Sequence, residues 1–351
     1  MSLPTAAALS EPLDIESPPA LIAYLRRAGW LAADETPAVR VLAGGVSNRT
    51  VWVGRASGEA WVLKQALPKL RVPVDWFSSP ARIGREALGL RWLGQLLPPG
   101  AVPRLVFEDL APHLLAMTAV PEPHENWKLA LLAGRLEAGL VGQCAGLLAA
   151  IHREAAKRTR ELKPIFADRA YFESLRLEPY FGYAATQFFS AAKFLQRLIA
   201  DTRRCALTLV HGDFSPKNLL IHDGRLVLLD HEVIHWGDPT FDVGFVLTHF
   251  LSKAHHLPAQ RRAFAEAARA LWRTYRAEVG GLAASPDFEP RAVRQTLGCL
   301  LARVAGRSPL EYLDAAERTG QREAVLRLLN EPPSTLHELI RQFIACLPSA
   351  S

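Results

Sequence analysis

The stretch LVHGDFSPKNLLIHDGRLVLLDHE, Leu209–Glu232, contains two short apolar runs separated by an Asp-Gly pair at positions 223–224. Asp-Gly is a preferred pair for a two-residue hairpin turn, because both central positions need positive φ. Counting outward from that turn places Asn218 opposite Leu229, with Asp230 one step beyond. The stretch therefore predicts a β-hairpin that brings an amide and a carboxylate together at its open end.

The loop before this hairpin adds a second carboxylate. Asp213 precedes Asn218 by five residues, on a segment that Pro216 stiffens. An amide oxygen and a carboxylate that converge on one point suit a hard cation such as Mg²⁺, which takes oxygen ligands. We therefore predict that Asn218 and Asp230 hold Mg²⁺, while Asp213 orients a hydroxyl nucleophile. The alternative is that Asp213 and Asn218 only cap a turn, as these residue types often do.

The rest of the chain divides into a strand-rich first third and a mostly helical remainder. A loose leader, residues 1–17, precedes strands that we predict at 39–44, 49–55, 60–66, 104–110 and 113–120. Between the third and fourth strands, apolar residues at three- and four-residue intervals predict a long helix over 78–97. This order of strands and helices along the chain predicts an α+β fold with an N-terminal lobe, residues 1–121, and a helical C-terminal lobe, residues 122–351.

Composition excludes several classes of function. Apolar residues make up 49% of the 351 residues and charged residues 22%, as in ordinary globular proteins. The net charge is +6, but the arginines are scattered, so we do not expect nucleic-acid binding. The four cysteines lie far apart, which favours reduced thiols over disulfides or zinc. Without a secretory signal or a run of about 20 apolar residues, we expect a cytoplasmic protein that does not enter membranes, either a monomer or a homodimer.

Several motifs resemble those of one enzyme family. HGDFSPKN, His211–Asn218, is similar to the catalytic loop of kinases, and LLDHE is similar to the metal-binding strand that follows it. The His-Gly-Asp form, together with WGDPTFDVGF at 236–245, resembles the aminoglycoside phosphotransferase and choline kinase superfamily more than protein kinases. Residues 64–88 are further similar to methylthioribose kinases. The resemblance covers roughly residues 38–255.

The resemblance implies a bilobal, protein-kinase-like fold with a five-stranded antiparallel N-lobe, and it implies ATP and Mg²⁺ as cofactors. Lys64 would hold the ATP phosphates, Glu86 would orient Lys64, and Asp213 would be the catalytic base. The remaining nucleotide contacts would come from a phosphate loop and from hinge backbone that reads adenine, at Gly44, Gly45, Ser47, Asn48, Thr118, Ala119 and Val120. The alternative to these roles is that Lys64 is a solvated lysine at a strand edge and Glu86 a solvated helix residue.

These features predict ATP-dependent phosphorylation of a hydroxyl on a small molecule, either sugar-like or amino-alcohol-like. One alternative is a non-catalytic nucleotide-binding regulatory protein, and another is an aminoglycoside-modifying kinase. The last hundred residues, 252–351, hold 14 Lys+Arg against 10 Asp+Glu, which disfavours a polycationic antibiotic. Protein-kinase activity is not expected, because the segment from Asp230 to Pro239 is too short for a peptide-binding activation loop.

Four residues near these motifs have open roles. Arg303 and Arg307 could contact an anionic or polyhydroxylated acceptor. Lys217 could pair with a substrate anion or with Glu232, which itself could support the metal or join a loop ion pair. We also predict that Asp242 braces the catalytic loop from the following helix.

Overall fold

The computed structural model describes residues 13–43 and 45–348, and these form two compact units. The first unit runs to Gly84 and includes Leu105–Ala119, whereas the second comprises Arg85–Arg104 and continues from Val120. The division into lobes at residue 121 stays a prediction. No helix within the described ranges has both the length and the apolar character that crossing a membrane requires.

The first unit is a five-stranded antiparallel sheet with one helix packed on it. Its elements are α1 Pro18–Arg27, β1 Ala38–Val41, β2 Asn48–Gly54, β3 Ala60–Ala66, β4 Leu105–Asp109 and β5 Leu114–Thr118. The strand order is β1-β2-β3-β5-β4, so all five predicted strands are confirmed. Apolar side chains that alternate along the strands, such as Val51 and Val53, are fully buried in a core that also contains Leu21 and Leu25 of α1.

The second unit is mainly helical. Its α-helices, counting α2 which begins just before the unit, are α2 Arg82–Leu96, α3 Trp127–Leu132, α4 Ala138–Lys157, α5 Thr159–Phe166, α6 Ala170–Phe172, α7 Tyr183–Gln187, α8 Phe189–Arg204, α9 Pro239–His256, α10 Arg261–Glu278, α11 Phe288–Ala305, α12 Ala315–Asn330 and α13 Leu336–Cys346. A π-helix spans Glu173–Gly182, and 3₁₀ turns span Pro216–Asn218, Pro258–Gln260 and Gly280–Ala284. Together with the first unit, this confirms the predicted α+β, kinase-like architecture.

Short strands interrupt the helices of the second unit. They are β6 Glu125–Asn126, β7 Thr208–Val210, β8 Leu219–His222, β9 Arg225–Leu228 and β10 His235–Gly237. β8 and β9 pair antiparallel with His222 opposite Arg225, and the turn residues Asp223 and Gly224 have φ of 47° and 69°. The amide of Leu229 donates to the carbonyl of Asn218 at 2.9 Å. The predicted hairpin and its register are thus confirmed.

Helix α9 runs through the centre of the second unit. All of its residues except His256 are buried. Gly244 permits close packing against α11, since a Cβ at that position would lie 2.7 Å from the backbone of Gln295. A helix enclosed in this way can present polar side chains only to partners that the fold or a ligand supplies.

Candidate active site

The catalytic-loop motif is fastened to α9 by one carboxylate. Asp242 accepts the backbone N–H of His211 at 2.7 Å and that of Gly212 at 2.8 Å. His152 on α4 adds a contact, with its Nε2 3.2 Å from Asp242 Oδ2. Complete burial raises the pKa of Asp242, but these donors outweigh it and hold the pKa below its usual value. The predicted bracing of the catalytic loop by Asp242 is therefore confirmed, and the carboxyl group of Asp242 is ionised.

The loop itself is shaped by His211 and Gly212. The Nδ1 of His211 accepts the amide of Asp213 at 3.2 Å, which assigns the ring proton to Nε2, 3.1 Å from His231 Nδ1. Burial lowers the pKa of His211, so the ring is neutral in this position. Gly212 has φ of 77°, and a Cβ there would lie 3.1 Å from the carbonyl of Val233. The backbone at this point therefore requires glycine.

Asp213 and Asn218 are brought together by the 3₁₀ turn Pro216–Asn218. Both are buried, and the side-chain nitrogen of Asn218 donates to the carbonyl of Asp213 at 2.9 Å and to its Oδ2 at 2.7 Å. The amide nitrogen is consumed by these bonds, so the amide oxygen of Asn218 is the atom left for a cation. Two of the predicted residues are thus adjacent, with Asn218 also orienting the carboxylate of Asp213.

Arg176 is a site residue that the sequence analysis missed. Its Nη2 lies 2.8 Å from Asp213 Oδ2, and its Nε donates to the carbonyl of Gly212 at 3.1 Å. Burial lowers the pKa of Arg176, but the neighbouring carboxylate of Asp213 and other acidic groups raise it overall. The sequence feature that could have indicated Arg176 is its position between Leu175 and Leu177 in an apolar stretch. The sequence analysis did not predict the π-helix that carries it.

Three carboxylates form a candidate cation site. One oxygen from each of Glu86, Asp230 and Glu232 lies within 4.8 Å of the others, and such oxygens suit Mg²⁺. Glu86 reaches this position from α2, where Gly89 allows close approach, since its Cβ would lie 2.5 Å from that of His231. Asp230 has φ of 68°, an unusual conformation that occurs often at functional sites. Glu232, whose role was open, therefore joins Asp230.

The predicted nucleotide-binding residues of the first unit lie on β2, β3 and the segment before β2. Lys64 on β3 is 8% exposed, and Ser47 and Asn48 are also buried, whereas Gly45 is exposed. Gly44 lies outside the described residues. Because Lys64 and Glu86 fall in different compact units, their pairing stays a prediction.

Arg82 orders the predicted phosphate loop, a role that the sequence analysis did not anticipate. Its side chain is fully buried, and its guanidinium donates to the carbonyls of Ser47 and Leu67, the latter at 3.0 Å. At the predicted hinge, Thr118 ends β5 and the amide of Ala119 donates to Ala60 at 2.8 Å. Val120 begins the next part of the second unit.

Two basic residues with open roles have distinct surroundings. Lys217 is exposed on the 3₁₀ turn, and across the residues that the structure covers its ammonium pairs with no carboxylate, Glu232 included. Arg307 lies near the surface, where its Nη2 is 3.4 Å from Glu178 and its guanidinium covers the ring of Tyr183. Arg307 therefore has partners of its own, whereas Lys217 is available to an anion.

Comparison with known proteins identifies a family for this chain. The model of the phosphotransferase enzyme family matches residues 38–278, whereas no curated protein gives a significant match. A choline/ethanolamine kinase family protein from Mesorhizobium loti is 14% identical with a TM-score of 0.55, covering 93% of this chain and 98% of its own.

Two further solved structures are similar. The amicoumacin kinase hAmiN, in complex with AMP-PNP, Ca²⁺ and Ami, is 15% identical with a TM-score of 0.57, covering 91% of this chain and 96% of its own. Choline kinase from Cryptosporidium parvum Iowa II is 13% identical with a TM-score of 0.55, and the match covers 92% of this chain and 99% of its own. At such identities these likenesses show the fold, while the family model spans most of the chain. The protein belongs to the phosphotransferase enzyme family.

Proposed function

We propose that the protein is an ATP- and Mg²⁺-dependent kinase that phosphorylates a hydroxyl group of a small molecule. The observation that carries this proposal is the arrangement around Asp213. Asn218 and Arg176 both bind its Oδ2, which leaves Oδ1 for the acceptor. Phosphoryl transfer depends mainly on positioning and charge neutralisation, and a carboxylate held by two donors is well suited to positioning.

The proposed roles follow from these contacts. Asp213 Oδ1 accepts a hydrogen bond from the acceptor hydroxyl and takes its proton as the new O–P bond forms, while the bond from the γ-phosphorus of ATP to its bridging oxygen breaks and ADP leaves. Arg176 fixes the orientation of the Asp213 carboxylate, so it is a positioning residue. Asn218 Oδ1, Asp230 and Glu232 would hold Mg²⁺, which neutralises phosphate charge when it is bound. Lys64 would contact the ATP phosphates, and Glu86 stays a candidate for either the metal or Lys64.

The test is ADP release from MgATP with a panel of acceptors, including sugars, hydroxy acids, amino alcohols and two aminoglycosides. Asp213→Asn should lower kcat by about 10²–10⁴-fold, the usual contribution of a general base, while MgATP binding persists. Asp223→Asn is the matched control, because that carboxylate is exposed on the hairpin turn and Asn also suits the turn.

Full activity of the Asp213→Asn protein would contradict the role of Asp213. Bound MgATP without turnover for any acceptor would instead favour the regulatory alternative. Turnover of an aminoglycoside alone would support an antibiotic-modifying kinase.

The metal assignment has its own prediction. Glu232→Gln should raise the Mg²⁺ concentration for half-maximal activity by about 10–100-fold, the range for loss of a supporting group at a metal site. Glu289→Gln, on α11, is the control. An unchanged Mg²⁺ dependence in Glu232→Gln would remove this residue from the metal site.

A further inference from the structure

Four basic side chains lie near enough to the buried imidazole of His249 on α9 to act on its pKa. Lys253 lies one turn further along α9, Arg303 is on α11, Lys128 is on α3, and Lys217 is on the catalytic loop. Burial lowers the pKa of His249 well below its usual value, and all four cations lower it further. We call these five residues, together with Tyr312, the basic cluster.

Polar atoms of this cluster lack partners in the described chain. His249 is 3% exposed, yet neither of its ring nitrogens has a hydrogen-bond partner, and the buried hydroxyl of Tyr312 has none either. Buried polar groups in native proteins are nearly always hydrogen-bonded. Both residues lie beside Lys253, whose ammonium contacts the carbonyl of His249 and the ring of Tyr312. Two such groups therefore indicate a binding site for a group that the chain itself does not supply.

Lys253 is the most unusual member. It is fully buried, and its ammonium makes one hydrogen bond, of 3.4 Å, to the carbonyl of His249 in its own helix. The ammonium also lies 5.1 Å from the ring centroid of Tyr312. Burial, with Lys128 and Arg303 adding to it and Glu311 opposing it, lowers the pKa of Lys253 to about 7. An ammonium removed from water without a partner is costly unless an anion joins it.

The charges in the cluster are not balanced. The carboxylate of Glu311 pairs with Lys128 at 2.5 Å and is 62% exposed, and it opposes the lowering of the Lys253 pKa. Among the described residues, Arg303 donates hydrogen bonds only to neutral groups. Its Nη1 donates to Tyr180 Oη at 3.1 Å, to Ser308 Oγ at 3.0 Å and to the Ser308 carbonyl. Four cations beside one carboxylate favour a ligand that carries negative charge.

The cluster lies close to the proposed catalytic base. Arg176, which binds Asp213, lies 5.7 Å from the ring centroid of Tyr180, and Arg303 lies 5.5 Å from the same centroid. On the other side, Asn126 donates to the carbonyl of Lys217 at 2.7 Å and caps the helix that carries Lys128. One aromatic ring thus separates the arginine that binds Asp213 from the arginine of the basic cluster.

We propose that the basic cluster binds an anionic group, a carboxylate or a phosphate, on the same acceptor whose hydroxyl is phosphorylated. Lys253, Arg303 and Tyr312 donate charge-assisted hydrogen bonds to it, and Lys217 and Lys128 add long-range attraction. The acceptor class is then hydroxy acids or sugar phosphates, and polycationic aminoglycosides are repelled. The inference rests on the proposed kinase function, since it names the acceptor of that reaction.

Binding of simple anions tests the cluster without turnover. Inorganic sulfate and D-glycerate would be titrated calorimetrically into the wild type, Lys253→Met, Tyr312→Phe and Lys64→Met. We expect both anions to bind the wild type and Lys64→Met alike, and to bind Lys253→Met about 10–100-fold more weakly, as expected when one member of a buried charge pair is lost. Tyr312→Phe is a milder second variant that removes one hydroxyl.

Three calorimetric results would overturn the proposal. The first is that the wild type binds neither anion. The second is that Lys253→Met and Tyr312→Phe both bind the anions as tightly as the wild type does, and the third is that only Lys64→Met loses binding. The last result would place the anion at the nucleotide-phosphate site instead.

Turnover with matched acceptors links the cluster to the reaction. D-Glycerate would be compared with glycerol, and L-homoserine with L-homoserinol. We expect kcat/KM to favour each acid, and Lys253→Met to remove that preference, while Lys157→Met, an exposed lysine paired with Glu154, keeps it. Preference for the neutral or cationic member of each pair would sink the anionic acceptor but leave the kinase function standing. Anion binding at the cluster combined with full activity of Asp213→Asn would instead contradict the proposed base alone.

Discussion

The two ends of α9 hold buried polar groups under opposite conditions. Near the N-terminal end, Asp242 accepts two backbone N–H groups and contacts His152, whose Nδ1 lies 2.8 Å from the hydroxyl of Tyr275. Near the C-terminal end, His249 has no hydrogen-bond partner for either ring nitrogen in the described chain, and Lys253 has one long bond. The same helix thus carries a satisfied network and an unsatisfied one.

This difference separates scaffolding from ligand recognition. A polar network whose members are all hydrogen-bonded holds one geometry, and here it holds the backbone of the catalytic loop. A network with unpaired buried members lowers stability, so its retention needs another reason, which a ligand would supply. We therefore expect substitutions at the two ends of α9 to change the free energy of unfolding in opposite directions.

The largest effect is expected at the satisfied end. Asp242→Asn replaces an acceptor oxygen with an NH₂ group that faces backbone donors, so it should lower the free energy of unfolding by about 3–5 kcal/mol. Chemical denaturation would measure this, with the exposed Asp223→Asn as control. A loss no larger than that of the control would show that the brace is not important for stability.

An effect of opposite sign is expected at Lys253. Lys253→Met removes a desolvated ammonium and keeps a side chain of similar length, so it should raise the free energy of unfolding at neutral pH by on the order of a few kcal/mol. The measurement is chemical denaturation of both proteins across a range of pH.

The pH dependence of that gain follows from the pKa values. The pKa of Lys253 is about 7 in the folded protein, against 10.5 for an ordinary lysine. Between these values the unfolded chain binds more protons than the folded one, so wild-type stability rises with pH. The advantage of Lys253→Met should therefore be full below pH 7 and disappear as the pH approaches 10.5. A gain that does not change with pH would show that Lys253 is solvated or paired.

The smallest expected change in stability is at His249, and it is tested by comparing this buried histidine with a second one, His152. His152→Leu should lower the free energy of unfolding by about 2–4 kcal/mol, because it removes one contact of the buried Asp242 carboxylate and the contact of the Tyr275 hydroxyl with His152. His249→Leu should change stability by less than about 1 kcal/mol or increase it, because it removes an unpaired imidazole. Equal losses for the two variants would mean that His249 is satisfied by bound water, which would remove the contrast.

Prediction from sequence succeeded where the chemistry lies within a short segment. The Asp-Gly turn determines which residues of the hairpin face each other, so the positions of Asn218 and Asp230 followed from counting. The spacing from Asp213 to Asn218 is likewise local, and their contact is confirmed. The local sequence pattern similarly predicted the five strands of the first unit, while the family resemblance implied that they form one antiparallel sheet.

Prediction was incomplete where the partners are distant in the chain. Glu232 joins Glu86 because a glycine lets α2 approach the strand end, and Arg176 meets Asp213 because a π-helix turns it inward. For Arg303 the sequence offered an excess of positive charge in the last hundred residues and the hypothesis of an acceptor contact, whereas its burial depends on how α9 and α11 pack.

The sequence by itself thus determined the hairpin with its register and the five strands of the first unit, because turn chemistry and periodicity act between near neighbours. Only the tertiary structure decided which carboxylates share a site, which arginine holds Asp213, and which buried cations lack an anion. Those relations depend on contacts between remote segments, and such contacts arise from the packing of whole helices rather than from any local pattern.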